Sequence, residues 1–198
     1  MADLARDYVH LVASSDASPS FGFGVSIAPA TQGVLQSLGR LAERRGDFIR
    51  FGRQVDPSAE AEKPRIGREH RLSLRKCDPS HVLTLRARKT EHSGVMELQA
   101  ALLLVKWVAR NRHFQGRKVL TLLDAKAIIG AIQNGRSGSR KLGRLLQRLG
   151  ANLLAAHLVP RLLYVPSEDM PSDDPSRGVR RRPTHRRWRK EPGFSKAD

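Results

Sequence analysis

The spacing of apolar residues changes character several times along this chain, and each change predicts a different element. Between residues 8 and 28 apolar and small side chains alternate loosely. Val9, Leu11 and Val12 lead to a Ser18-Pro19-Ser20 turn, and the run Gly22-Phe23-Gly24-Val25-Ser26-Ile27 follows. This pattern predicts two strands joined by a tight connection. Residues 29–91 are the least regular stretch and read as an insertion. Within it the spacing predicts a short helix at 34–43, proline and charge crowd 56–71, and Val82, Leu83, Thr84 and Leu85 favour a strand at 81–87.

The second half is more regular. Met96, Ala100, Leu103, Leu104, Trp107 and Val108 recur at intervals of three and four, which predicts a helix over 95–112 with one buried face. The run KVLTLL at 118–123 predicts a short strand buried on both faces, ending at Asp124. Helical spacing resumes at 125–132, a Gly- and Ser-rich loop fills 134–139, and an amphipathic helix is predicted over 141–157. A last strand at 161–165 is closed by Pro166. The alternation of strands and helices predicts an α/β sheet with helices packed on it, as one domain over 1–178 followed by a tail at 179–198.

Composition narrows the partners. The chain has 198 residues, and 36 Lys plus Arg against 19 Asp plus Glu leave a formal charge of +17. Such an excess favours a polyanion, of which nucleic acid is the commonest. The tail concentrates it: Arg180, Arg181, Arg182, Arg186, Arg187, Arg189, Lys190 and Lys196 face only Glu191 and Asp198. Its apolar content is too low to fold alone, so a solvated arm able to lie along phosphates is expected. A single cysteine, Cys77, excludes an internal disulfide and a cysteine-rich metal site. Asp3 and Asp7 stand where a signal peptide would carry positive charge and an apolar run. The longest apolar stretch, 95–108, is interrupted by Glu97, Gln99 and Lys106, so no membrane span and no membrane partner are expected.

Four acidic residues fall where this order of elements brings strand ends and helix starts together: Asp16, Glu97, Asp124 and Asp173. Carboxylates gathered at one sheet edge repel one another unless divalent metal neutralises them. A two-metal nuclease uses such oxygen ligands to hold two ions about 4 Å apart, one activating water and one stabilising the leaving oxygen. Arg136, Ser137, Ser139 and Arg140 form a Gly-bracketed loop opening a helix. It would serve either as a phosphate site or as a plain N-cap.

The residues around these acids resemble a known family. Asp16-Ala17-Ser18 with Gly22-Phe23-Gly24 resembles the opening strand pair of ribonuclease H domains from retroelement polyproteins. His92-Ser93-Gly94-Val95-Met96-Glu97-Leu98-Gln99-Ala100 is similar to their H-x-N-V-L-E-x-x-A helix start. Leu122-Leu123-Asp124 resembles the strand ending in the third acid, and Asn134-Gly135-Arg136-Ser137-Gly138-Ser139 the K-G-R-S-S-S loop. The closing Y-V-P-S-E-x-N-P-A-D-x-P-S-R pattern is matched by residues 164–177 with Met170 for Asn and Ser172 for Ala. The resemblance implies a ribonuclease H-like fold, a five-stranded mixed sheet with its first three strands antiparallel and helices flanking it. It further implies metal-dependent hydrolysis of the RNA strand of an RNA–DNA hybrid. Asp16, Glu97, Asp124 and Asp173 would hold two Mg²⁺, with Mn²⁺ as an alternative, and Asp174 stands beside Asp173 as a rival ligand. Ala125 replaces a polar residue that touches substrate in many relatives, and Ser167-Glu168 occupies the place of a proton-shuttling loop His. These departures leave a second expectation open, a remnant that keeps the fold and binds nucleic acid without turnover. No polymerase motif stands in the 198 residues, so a place in a longer polyprotein with a reverse transcriptase is left open too.

Overall fold

A computed structural model of the chain describes residues 6–42, 47–51, 68–72 and 79–179. The expected basic tail lies outside the described residues apart from Val179. Strands β1 (Tyr8–Ala17) and β2 (Gly22–Pro29) form the predicted hairpin, with Asp16 opposite Gly24 and Ser14 opposite Ser26. Helix α1 (Gln32–Leu41) follows, then short strands β3 (Phe48–Phe51) and β4 (Glu69–Leu72) and the longer β5 (Ser80–Arg86). The second half contributes α2 (Ser93–Ala109), β6 (Lys118–Leu123), α3 (Lys126–Asn134), α4 (Arg140–Ala155), β7 (Val159–Tyr164) and the single turn α5 (Asp173–Ser176).

The strands make one mixed sheet in the order β4-β3-β7-β6-β1-β2-β5. β2 runs antiparallel to both β1 and β5, while β1, β6 and β7 are parallel. The carboxyl ends of β1, β5, β6 and β7 therefore lie along one edge. The expected five strands become seven. β3 and β4 extend the sheet beyond β7 in parallel pairings, and both come from the stretch that reads as an irregular insertion. Their sequences, FIRF and EHRL, are four residues long and carry charge, as suits the margin of a sheet.

Side-chain alternation divides the core into two layers. Val119 and Leu123 of β6 pack with Val9, Leu11 and Ala13 of β1 beneath α2 and α4, whereas Leu120 and Leu122 point the other way, toward Tyr8, Val12 and Leu35 and Leu38 of α1. The helix in the insertion thus covers the second sheet face. Gln32 fixes its start by bonding both backbone groups of Tyr8, at 3.2 and 2.6 Å. Met170 joins this second layer, 5% exposed, so its thioether fills core volume.

α2 departs from the one-faced helix that its spacing predicts. Val95, Met96, Leu98, Ala100, Ala101, Leu102, Leu104, Val105 and Val108 are all buried on it. The sheet covers one side and α4 the other. A helix apolar nearly all round is one sandwiched between layers. Among the described residues no helix is long and apolar enough to cross a membrane.

Candidate metal centre

Three of the four acids meet at the edge where the parallel strands end. Asp16 is the penultimate residue of β1, Asp124 follows β6, and Glu97 lies one turn inside α2. Each offers a carboxylate oxygen within 4.8 Å of the others, so the three can hold a metal ion. The His92 Nδ1 accepts from the Gly94 N–H at 3.2 Å and caps α2, which fixes the turn that presents Glu97.

The electrostatics of the group are those of buried acids brought together. Glu97 is pushed up to about 9, first by burial and then by the Asp124 and Asp16 charges, with the Ala17 backbone N–H opposing. Burial raises Asp16 to about 6; the Ser176 hydroxyl acts against it, and Asp124 and Asp173 add to it. Asp124 is raised as well, by burial first, with Ser167 opposing. Ser167 Oγ donates to Asp124 Oδ2 at 2.8 Å, while the buried Asp124 Oδ1 finds no hydrogen-bond partner. A buried anionic oxygen left without a donor, beside two more carboxylates, is the donor set a hard divalent cation requires.

No protein-family model, curated protein or solved structure matches this chain.

Asp173 is not part of the three-carboxylate group. It opens α5, and its Oδ1 accepts from Arg177 Nε at 2.7 Å, an i,i+4 ion pair. Its charge nevertheless reaches both Asp16 and Asp124. The segment carrying it lies over β2, where Ser26 Oγ donates to the Pro171 carbonyl at 3.0 Å. Gly24 makes this approach possible, because a Cβ there would overlap the backbone of Ser172 and Ser176. Gly24→Ala is accordingly expected to lower stability by about 2 kcal/mol, measured by urea unfolding, since all three clashing atoms, in Ser172, Pro175 and Ser176, are backbone.

The basic loop sits elsewhere on the same end. Arg136, Ser139 and Arg140 are exposed and Ser137 is half-buried. Ser139 occupies the N-cap position of α4 without making a side-chain cap bond; its N–H donates instead to Ser137 Oγ at 3.3 Å. Lys141, in the first turn of α4, reaches Glu91 at 3.3 Å in the connection that leads into α2. The loop and the carboxylates thus flank neighbouring helix starts.

Two hydroxyls and one clamp have roles that the sequence pattern does not show. Ser167 and Ser176 both lie in the polar segment after β7, beside Asp124 and Asp16. The turn bearing Ser167 is tied to β3 by Glu168, 3.1 Å from Arg50. The signal available for the serines was their place in the short segment that also carries Asp173. Arg50 gave none, being far away in sequence.

Proposed function

We propose that this chain is a retroelement-type ribonuclease H that hydrolyses the RNA strand of RNA–DNA hybrids with Mg²⁺. The convergence of Asp16, Glu97 and Asp124 carries the reading. The sheet supports it: β5-β2-β1 form the antiparallel trio that the resemblance implies, in a mixed sheet that goes on through parallel β6 and β7 and gains β3 and β4 beyond them. Asp16, Glu97 and Asp124 would hold the metal, with Asp173 beside them. A divalent ion there would lower the pKa of the attacking water and neutralise charge developing at the leaving oxygen. The chain's own residues perform the positioning. Ser167 holds one oxygen of Asp124 and leaves the other open. Arg136, Ser137, Ser139 and Arg140 receive backbone phosphates at the adjacent loop.

One observation favours a second reading, a catalytically decayed nucleic-acid-binding remnant: Arg177 already pairs with Asp173. Purified chain incubated with end-labelled hybrid, duplex DNA and duplex RNA in Mg²⁺ separates the two. RNA cut only within the hybrid is the expected result. Binding without any cleavage, in Mg²⁺ or Mn²⁺, would establish the remnant instead.

A further inference from the structure

α4 carries Arg140, Lys141, Arg144, Gln147 and Arg148 and not one acidic residue. All five side chains are exposed. The opposite side of the helix, with Leu146 and Leu149 buried and Leu142, Leu145 and Leu153 half-buried, packs into the layer shared with α2. At 100° per residue the five polar residues fall within about a third of the helix circumference. The three arginines recur every fourth residue, so Arg140 to Arg148 covers roughly 12 Å along the axis at 1.5 Å per residue. The bond from Lys141 to Glu91 places the first turn of this stripe beside the start of α2, one turn from Glu97. From there the stripe runs away from the carboxylates, toward the far end of the sheet where β7 begins.

We propose that this stripe is a docking track for the phosphate backbone of a nucleic-acid duplex whose scissile segment lies at the carboxylate group. The proposal rests on the nuclease reading for that orientation and extends it to a surface that lies outside the site. Charge complementarity selects the occupant, since a stripe without an acid attracts a polyanion and arginine forks match phosphate oxygens. Phosphates of one strand follow each other every 3.4 Å along the duplex axis, so a span of roughly 12 Å faces about three or four nucleotides. Arg140 belongs both to the loop and to the track. Arg144 and Arg148 belong to the track alone.

The test uses the full chain in EDTA, where no hydrolysis occurs, with fluorescein-labelled hybrid read by anisotropy over a salt series. The R144Q/R148Q variant keeps good helix formers at exposed positions. Arg110→Gln with Arg112→Gln, exposed at the far end of α2, removes the same charge elsewhere. The track variant is expected to lose about 1.8 from the slope of log K against log salt, at about 0.9 per phosphate contact, and roughly sixty-fold in affinity at 0.1 M salt. The control should keep the wild-type slope. Equal losses in both pairs, or no loss in either, would overturn the track. So would weakened binding of the track variant to phosphatidylserine vesicles with unchanged binding to duplex. The nuclease reading is judged separately, by wild-type cleavage in Mg²⁺: a chain that never cleaves but shows the track-specific slope change overturns that reading and upholds the track.

Discussion

Asp124→Asn should lower Mg²⁺-dependent cleavage of an RNA–DNA hybrid by at least about 10³-fold, equivalent to roughly 4 kcal/mol of lost transition-state stabilisation. Asn keeps the size of Asp and keeps a partner for the Ser167 hydroxyl, so the turn after β7 stays in place. The change removes an anionic oxygen at the one position, Oδ1, where the protein supplies no donor. Whichever way the amide turns, the metal loses charge. The same substitution takes a charge out of a group of acids that raise one another's pKa. The metal-free protein is therefore expected to melt a few degrees higher, since about 1 kcal/mol moves a domain of this size by roughly 2–4 °C. Lost activity with gained stability is the signature of a metal ligand. Lost activity with lost stability would point to a structural role, and unchanged cleavage would remove Asp124 from the reaction.

The strand KVLTLL was legible because burial on both faces leaves only one small hydroxyl, Thr121, among the apolar residues of its middle, and its end at Asp124 followed at once. The hairpin of β1 and β2 was legible for a similar reason, since Asp16 and Gly24 fall opposite each other when the turn is placed at 18–22. The extent of the sheet was not. β3 and β4 are too short and too charged to produce a periodic signal; β3 adds to the edge of β7 and β4 to the edge of β3. The double burial of α2 was hidden as well: spacing shows which side of a helix is apolar, and only packing shows that α4 covers the outer side.

In the site, the three converging acids were legible as residues at strand ends or just inside a helix start. The surroundings of the fourth were not legible. Arg177 stands four residues after Asp173, a spacing visible in the sequence, but it becomes an ion pair only when the intervening residues form a helical turn. The Arg50–Glu168 clamp had no sequence signal, because it joins a strand of the insertion to the turn after β7. That clamp ties the insertion to the turn from which Ser167 bonds Asp124.

Without divalent metal, the stability of the protein should fall as pH rises from about 5 to 9. Glu97 titrates near 9 in the folded chain against 4.5 for the ordinary group, and Asp16 near 6 against 3.8. Between those limits the folded state holds protons that the unfolded state has released, so unfolding becomes easier with each step up in pH. The contribution of both groups is complete below about pH 4 and is lost as pH climbs through 6 for Asp16 and through 9 for Glu97. One pKa unit corresponds to about 1.4 kcal/mol. A drop of at least about 10 °C in melting temperature across the window follows for a domain of this size. Glu97→Gln should flatten the upper part of that slope, because Gln mimics the protonated acid at every pH. Divalent metal acts in the opposite direction: it binds carboxylates only after their protons leave, so its stabilising effect should grow with pH and be accompanied by proton release. Calorimetry in two buffers of different ionisation enthalpy measures that release directly. A metal-free melting temperature that rises toward pH 9 in the wild type, or a slope unchanged in Glu97→Gln, would mean that the three carboxylates do not share a protonated cluster.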